Sequence, residues 1–377
     1  MRILYISHLH PPKDQPLQNV GGMQNVSVQM VKAIRRRDDV QIDTIILHSS
    51  WKFIGLKTFF FLATLLWKIP GKIRSFKPDV ILFSSMVTAG VLPFFIKKLS
   101  VPCVTINHGQ DVTLPVKIYQ WYLPYIFNRL QGVISVSSAT RQACIERGMN
   151  PEIGVALPNG YDVKVQRNLP DKKTARNEIE KEFGVDLRRA KLLLTVGRQV
   201  KRKGHQWFIR EVMEKINSDV IYLIVGDGPE HENIKQAKNA SKVNDKIILA
   251  GKLPAEKLNT CYAAADLFVM PNIPVKGDME GFGIVLLEAN RAGVPAIASD
   301  LEGIRDVIEP GLNGFRVPHA EPRIFAEKID EILKNGLDKL SLSAKEYVTK
   351  HFNWDTVVER YLLFLRTLNE SDKSSGS

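Results

Sequence analysis

Short apolar runs rich in Val, Ile and Leu alternate along the first half of the chain with longer stretches of mixed polarity. Arg2 to His8, Ile42 to Leu47, Asp79 to Ser84, Val101 to Ile106 and Gly132 to Val136 read as strands. Their apolar residues follow one another without polar alternation, the pattern of strands covered on both faces. Met23 to Arg35, behind Gly21-Gly22, reads as a helix, as do Val87 to Lys98 and Ser138 to Arg147. Strand, helix and strand in this order predict a parallel sheet with right-handed crossovers.

Residues 160 to 190 break the pattern. DKKTARNEIEKEFGVDLRRAK is charged throughout, and predicts a linker with a short surface helix. The strand pattern then restarts, at Lys191 to Val196, Val220 to Val225, Ile247 to Ala250, Leu267 to Met270 and Val294 to Ala298. Most of these runs end at a Gly or Pro. Two doubly wound domains in tandem follow, with a cleft between them and ligands expected beyond the carboxyl ends of the strands. The boundary is set at 165/166.

Composition narrows the class. A chain of 377 residues suits two domains. The apolar start MRILYISHLHPP is too short for a signal peptide. The longest uninterrupted apolar stretch, Thr58 to Trp67, is about half of what a spanning helix needs. Cys103, Cys144 and Cys261 are scattered, with no metal-binding spacing, and suggest a reducing, cytoplasmic setting. The net charge of +12 points to an anionic partner. No nucleic-acid-binding module accompanies it, so a phosphorylated substrate or an anionic membrane is favoured over nucleic acid.

Two stretches carry candidate chemistry. TVGRQVKRKG sets Arg198 just past a strand end and Lys203 five residues later. A planar fork and a point charge on one rigid edge suit a diphosphate, although Lys201 and Arg202 alongside also fit a solvated basic loop. GDMEGFGIVLLEANRAG, residues 277–293, holds Glu280 among glycines and Glu288 inside a helix read over Ile284 to Ala292. Free amides at that helix start, near Gly283 and Ile284, favour a phosphate. A carboxylate would repel phosphate but accept hydrogen bonds from sugar hydroxyls, which suits Glu280 and Glu288. Taken singly, each glutamate reads more readily as a loop residue (Glu280) or an exposed helix charge (Glu288); it is the two together, beside the Arg198/Lys203 pair, that point to a site.

With these stretches stand GGMQNVSVQMVKAI, NHGQD, PNGYD, IVGDGPE, YAAADLFVMPN, EGFGIVLLEANRAGVPAIASD and NGFRVP. Together, in this order, they resemble the family 4 glycosyltransferases, retaining enzymes of the GT-B fold, over nearly the whole chain. The resemblance implies two Rossmann-like domains facing across a cleft: residues 1–165 for the acceptor and 166–353 for the nucleotide sugar. It implies a C-terminal helix, 354–370, crossing back to the first domain; the polar tail 371–377 reads as disordered. It also implies residue roles. Arg198 and Lys203 match the diphosphate-binding pair, and Glu280 matches the glutamate that contacts the transferred sugar. Gly281, Phe282, Gly283 and Ile284 match the loop whose amides meet sugar and phosphate. Glu288 matches the ribose-binding glutamate, Gly22 the glycine-rich first loop that closes over the diphosphate, and His108 the histidine beside the anomeric carbon. Neither a metal nor another cofactor is expected.

Three places depart from the family pattern: the proline-containing loop from His8 to Val20, Gln24, and the long run Asn272 to Met279 before Glu280. They surround the sugar and acceptor regions and leave the substrate open. On the acceptor side, WKFIGLKTFFFLATLLWKIPGKIRSFK, residues 51–77, mixes aromatic and basic residues. It reads either as a helix packed on the first sheet or as a segment lying on an anionic membrane. The expectation is hexosyl transfer from a UDP- or GDP-sugar to a glycan or lipid-linked acceptor. Its rivals are a nucleotide-sugar epimerase of the same fold and a non-catalytic nucleotide-sugar-binding subunit.

Overall fold

A computed structural model of the chain describes residues 1–12, 22–49, 54–162 and 169–374. The chain divides into two compact units, residues 1–162 with 353–377, and residues 163–352. Each is built on a six-stranded, fully parallel sheet.

The first sheet has the order β2-β1-β3-β4-β5-β6, from β1 Arg2–His10, β2 Gln41–His48, β3 Val80–Phe83, β4 Cys103–Asn107, β5 Gly132–Ser135 and β6 Gly154–Ala156. All four residues of β3 and all five of β4 are buried, as the unbroken apolar runs require. The order reverses between β1 and β3, so right-handed crossovers set the helix after β1 on one face and those after β2, β3 and β4 on the other. The helix Gly22–Arg35 occupies the first face, with the final helix, Trp354–Ser374, packed beside it. On the other face, Ile45, Ile81, Phe83 and Val133 meet Phe61, Leu65 and Ile69 of the helix Ile54–Phe76 and Leu123, Ile126 and Phe127 of the helix Lys117–Phe127. The segment 51–77 thus does pack on the sheet, through one side of its helix. Its opposite side leaves Phe59, Phe60 and Trp67 exposed. Residues 51–53, with Trp51 and Phe53, lie outside the described residues.

Residues 353–377 complete the first unit. The Trp354 side chain is buried, its Nε1 donates to Gln29 Oε1 at 2.6 Å, and its ring covers Gly160, where any Cβ would stand 2.4 Å from it. Tyr361, Leu362 and Leu365 are buried along the same helix, and Arg36 pairs with Asp355 at 2.7 Å. Trp354→Phe removes the buried hydrogen bond while keeping most of the packing. It is expected to cost about 1–2 kcal/mol. A denaturation midpoint equal to the parent's would show that the bond contributes nothing.

The second sheet has the order β12-β11-β10-β7-β8-β9. Its strands are β7 Lys191–Val196, β8 Val220–Val225, β9 Ile247–Gly251, β10 Leu267–Met270, β11 Ala296–Ser299 and β12 Gly314–Val317. Its order reverses between β7 and β10. Phe208, Tyr222, Val269 and Phe325 anchor the core on one face.

Two sequence expectations are corrected. The helix over Val87 to Lys98 stops at Ala89, capped by Gly90, and Leu92–Phe94 continues only as a 3-10 turn. Pro93 has no N–H to continue an α-helix. The last helix runs to Ser374, into the tail read as disordered from 371; residues 375–377 lie outside the described residues.

Candidate functional site

Loops leaving β7 and β10, the two strands at which the second sheet reverses, carry most of the candidate residues. Past β7, the Arg198 side chain is exposed and makes no hydrogen bond or ion pair among the described residues. Gln199 is fully buried. Its amide donates to Gly226 O at 2.9 Å and its Oε1 meets His231 Nδ1 at 2.8 Å, which ties this loop to the one after β8. A 3-10 turn, Lys201–Lys203, then carries the chain inward: Lys201 is exposed, Arg202 half-buried and Lys203 buried. Gly204 follows at φ +67°, where an added Cβ would lie 1.9 Å from Pro271 O. The loop after β7 can approach the exit of β10 this closely only through a glycine.

That approach joins residues far apart in sequence. Lys203 Nζ lies 2.6 Å from Glu280 Oε2, and Asn272 Nδ2 donates to the same oxygen at 3.2 Å. Arg202 pairs with Asp278 at 3.1 Å and holds Nη1 3.7 Å from Glu280 Oε2. Burial alone would push the Glu280 carboxyl up. The Lys203 and Arg202 charges and the hydrogen bonds from Lys203 and Asn272 outweigh it and hold Glu280 below the usual glutamate range. Burial pushes Lys203 down, against the attraction of Glu280; the 2.6 Å contact is that of a carboxylate with its ammonium counter-ion, and Glu280 is held in the charged form. The backbone around it is clasped as well. Glu280 N donates to Glu302 Oε2, and Gly303 N donates to Glu280 O at 3.1 Å. Burial, with the Glu280 charge adding, pushes Glu302 above the usual range despite that bond.

Gly281 to Ile284 lead into the helix Ile284–Arg291. Gly283 sits at φ +83°, in the left-handed region, and offers no side chain to cap the helix. Leu286 N turns back to Gly283 O at 2.9 Å, while the preceding amides at the helix start have no acceptor within the helix. The Phe282 ring is buried against Phe352, centroids 6.0 Å apart, so this side chain serves packing and leaves its backbone to the loop. Glu288, half-buried on the helix, accepts from Tyr262 OH at 2.8 Å, and burial raises its carboxyl above the ordinary value against that bond.

In the first unit, His108 follows β4. Its N–H donates to Asp111 Oδ1 at 2.8 Å, and its Nε2 is 3.0 Å from Ser84 O, past the end of β3. A carbonyl only accepts, so Nε2 carries a proton. His8, near the end of β1, is buried and pushed down to about 4 by burial, with the His108 charge adding. Gly22 opens the helix Gly22–Arg35 and is exposed; Gly21 and the rest of the loop 13–21 lie outside the described residues. Gln24 is buried in that helix. Among the described residues, no three His, Cys, Asp or Glu side chains cluster so as to hold a metal ion, and no helix is long and apolar enough to cross a membrane.

Sequence reasoning missed the surroundings of Glu280. Arg202 reads as part of a solvated basic loop, yet its charge is spent on Asp278 and Glu280. Asn272 and Asp278 both fall in the run whose length departs from the family pattern, which was the available signal. Glu302 and Tyr262 carried none.

Both units match families of known proteins. A family model described as Glycosyltransferase Family 4 matches residues 20–165, and one described as Glycosyl transferases group 1 matches residues 176–351. A GDP-mannose-dependent alpha-(1-6)-phosphatidylinositol monomannoside mannosyltransferase of Mycobacterium tuberculosis is 30% identical, across 69% of this chain and 68% of its own. A putative colanic acid biosynthesis glycosyltransferase, WcaL, of Salmonella typhimurium is 24% identical, across 74% and 68%. Among solved structures, Anabaena HepE in complex with UDP matches with a TM-score of 0.72 at 18% identity, covering 97% of this chain and 100% of that one. The sucrose-phosphate synthase of Thermosynechococcus elongatus matches with a TM-score of 0.76 at 20% identity, covering 98% and 99%. Two parallel six-stranded sheets and these matches define a glycosyltransferase of the GT-B fold. The chain belongs to the family 4 glycosyltransferases.

Proposed function

We propose that the protein transfers a hexosyl unit, with retention, from a nucleoside diphosphate sugar to a hydroxyl of a glycan or lipid-linked acceptor, in cell-surface polysaccharide or glycolipid synthesis. The observation that carries this reading is the buried Lys203–Glu280 pair, which joins the loop carrying exposed Arg198 to the loop that leads into the uncapped helix start at Gly283. Arg198, Lys203 and the amides near Gly283 and Ile284 take the diphosphate; Glu280 takes hydroxyls of the sugar; Glu288 takes the ribose diol. In the reaction, the bond from the anomeric carbon to the diphosphate oxygen breaks and its electron pair stays on that oxygen. The acceptor oxygen bonds to the same face of the carbon and passes its proton to the departing phosphate. Cations and oriented amides stabilise the charge that develops, without a metal. The relatives named as GDP-mannose-dependent favour a GDP-sugar.

A thermal-shift panel of GDP, UDP and ADP tests the donor. Ligand at 100 times its Kd adds about 2.7 kcal/mol, and GDP is expected to give the largest shift. If none of the three raised the melting temperature, the donor reading would fail. Nucleoside diphosphate released only when acceptor is present separates transfer from epimerisation, and a chain that binds without ever releasing it would be the non-catalytic rival.

Glu288 supplies a pH test. Because its folded carboxyl is raised above the ordinary 4.5, the folded state holds this proton more tightly than the unfolded chain. The group therefore costs nothing below that value and costs stability as pH rises through it to the raised value. Glu288→Gln is expected to melt above the parent at pH 7, with the gap closing below pH 4.5, and to bind donor nucleotide more weakly. A pH-independent gap would remove the carboxyl as its source.

A further inference from the structure

One half of the first unit is almost stripped of carboxylates. Residues 44–145 contain eleven Lys and Arg against two acidic residues, Asp79 and Asp111. Both acids are engaged in the fold: Asp79 accepts from Arg2 N at 2.7 Å, and Asp111 accepts from Met86 N at 3.0 Å and His108 N at 2.8 Å. Most of the chain's +12 excess therefore resides in this stretch.

The same stretch builds the helical layer over one face of the first sheet. The helix Ile54–Phe76, the connection around Leu92–Phe94 and the helix Lys117–Phe127 share one core beneath them. Their outer side carries large apolar residues in solvent. Phe59 is 68% exposed and Trp67 74% on the first helix, Phe94 69% and Ile96 98% on the connection, Ile118 74% and Trp121 65% on the last. Aromatic contacts run within it: Phe94 lies 6.2 Å from Tyr122, and Trp121 lies 5.0 Å from Tyr125. Exposed Lys57, Lys68, Lys97, Lys98 and Lys117 are interspersed with them.

Isolated exposed apolar residues need no explanation, but a surface shared by three elements does. The charge identifies its occupant. A protein partner or a second copy of the chain would be met with charges of both signs, whereas the exposed charges interspersed here are all lysines; the carboxylate beside the layer, Asp43, is paired with Lys72 of the first helix at 2.5 Å. A bilayer with anionic headgroups meets both halves of the pattern: lysines reach the headgroups while Trp, Phe and Ile enter the interface. We infer that this outer layer, and not the segment 51–77 alone, docks the protein on an anionic membrane. The first helix, the 94–98 connection and the start of the helix Lys117–Phe127 enter together. The inference stands apart from the donor assignment, since it uses none of the residues proposed to bind the nucleotide sugar.

Flotation of the full chain with vesicles of phosphatidylcholine, alone or with 30% phosphatidylglycerol, tests it. Binding is expected to the anionic vesicles, to weaken strongly in high salt, and to be slight with phosphatidylcholine alone. Brominated lipids are expected to quench Trp67 and Trp121, each resolved by comparison with Trp67→Phe and Trp121→Phe. Lys97→Glu with Lys98→Glu, and separately Ile118→Ser with Trp121→Ser, are each expected to lower partitioning at least about tenfold. Both change exposed residues, and an unaltered melting temperature verifies their folding. Absence of binding to anionic vesicles at low salt would overturn the inference. So would partitioning untouched by both double variants, which would confine contact to the first helix. Concentration-dependent dimerisation abolished by those variants, without vesicle binding, would make the surface a contact between copies.

Discussion

Lys203→Ala is expected to lower kcat/KM by about a hundredfold or more, the typical loss when one preorganised donor to a developing charge is removed. The side chain is buried at the end of a rigid strand loop and needs no ordering when substrate arrives. Its removal also leaves Glu280 buried with Asn272 and the more distant Arg202 as its remaining partners. Breaking a buried pair from one side costs about 3 kcal/mol, so the variant is expected to melt lower as well. Stability and chemistry can be separated. In Lys203→Ala with Glu280→Gln no uncompensated carboxylate remains, and melting is expected to recover while turnover does not. Arginine is not an equivalent replacement, because its planar fork does not fit a position built for a point charge. If Lys203→Ala turned over at nearly the parental rate, the charge-stabilising role would be wrong, whatever its stability. If the double variant regained activity, the defect of the single one would lie in folding.

Gly204→Ala is expected to be strongly destabilising. Two effects combine there. The residue sits at φ +67°, and its missing Cβ would lie 1.9 Å from Pro271 O, a backbone atom that cannot rotate away. Gly251 provides the control, with φ +64° and nothing within 4 Å of an added Cβ. Gly251→Ala measures the backbone term alone, about 1 kcal/mol. For Gly204→Ala the collision brings the cost to about 3 kcal/mol or more. For a unit of this size those costs correspond to roughly 2–4 °C and 6–12 °C in melting temperature. Equal losses at the two positions would show that the loop after β7 can back away from β10, and that Lys203 is not held where the structure places it.

Much of the scaffold was legible in the sequence because buried parallel strands announce themselves. VILF and VIYLIV can hardly be anything else, and the structure places β3 and β8 on them. The edge strands β6 and β12 were not legible: Gly154–Ala156 and Gly314–Val317 are three and four residues long, begin at glycine and are partly exposed. The site divides in the same way. Local sequence displays what one loop does by itself, so Gly283, Ile284 and the positions of Glu280 and Glu288 could be read from GDMEGFGIVLLEANRAG. Pairing is not local. Lys203 meets Glu280 across 77 positions and Tyr262 meets Glu288 across 26. Arg202 and Lys203 are neighbours of like charge, yet one turn of backbone buries the second and turns the first to Asp278.

The return of residues 353–377 has a consequence for biosynthesis. Tyr161 and Asn353 form a bridge, so the chain leaves the first unit and re-enters it at adjacent points. The unit begun first at the ribosome is thus the one completed last. Until Trp354 emerges, Gly160 lacks the ring that covers it and Gln29 lacks the indole N–H that it accepts. The helix Gly22–Arg35 meanwhile waits for the final helix to arrive beside it. The second unit holds all of its own strands and can fold in the interval. A nascent chain stalled before residue 353 would therefore carry a finished second unit and an unfinished first one.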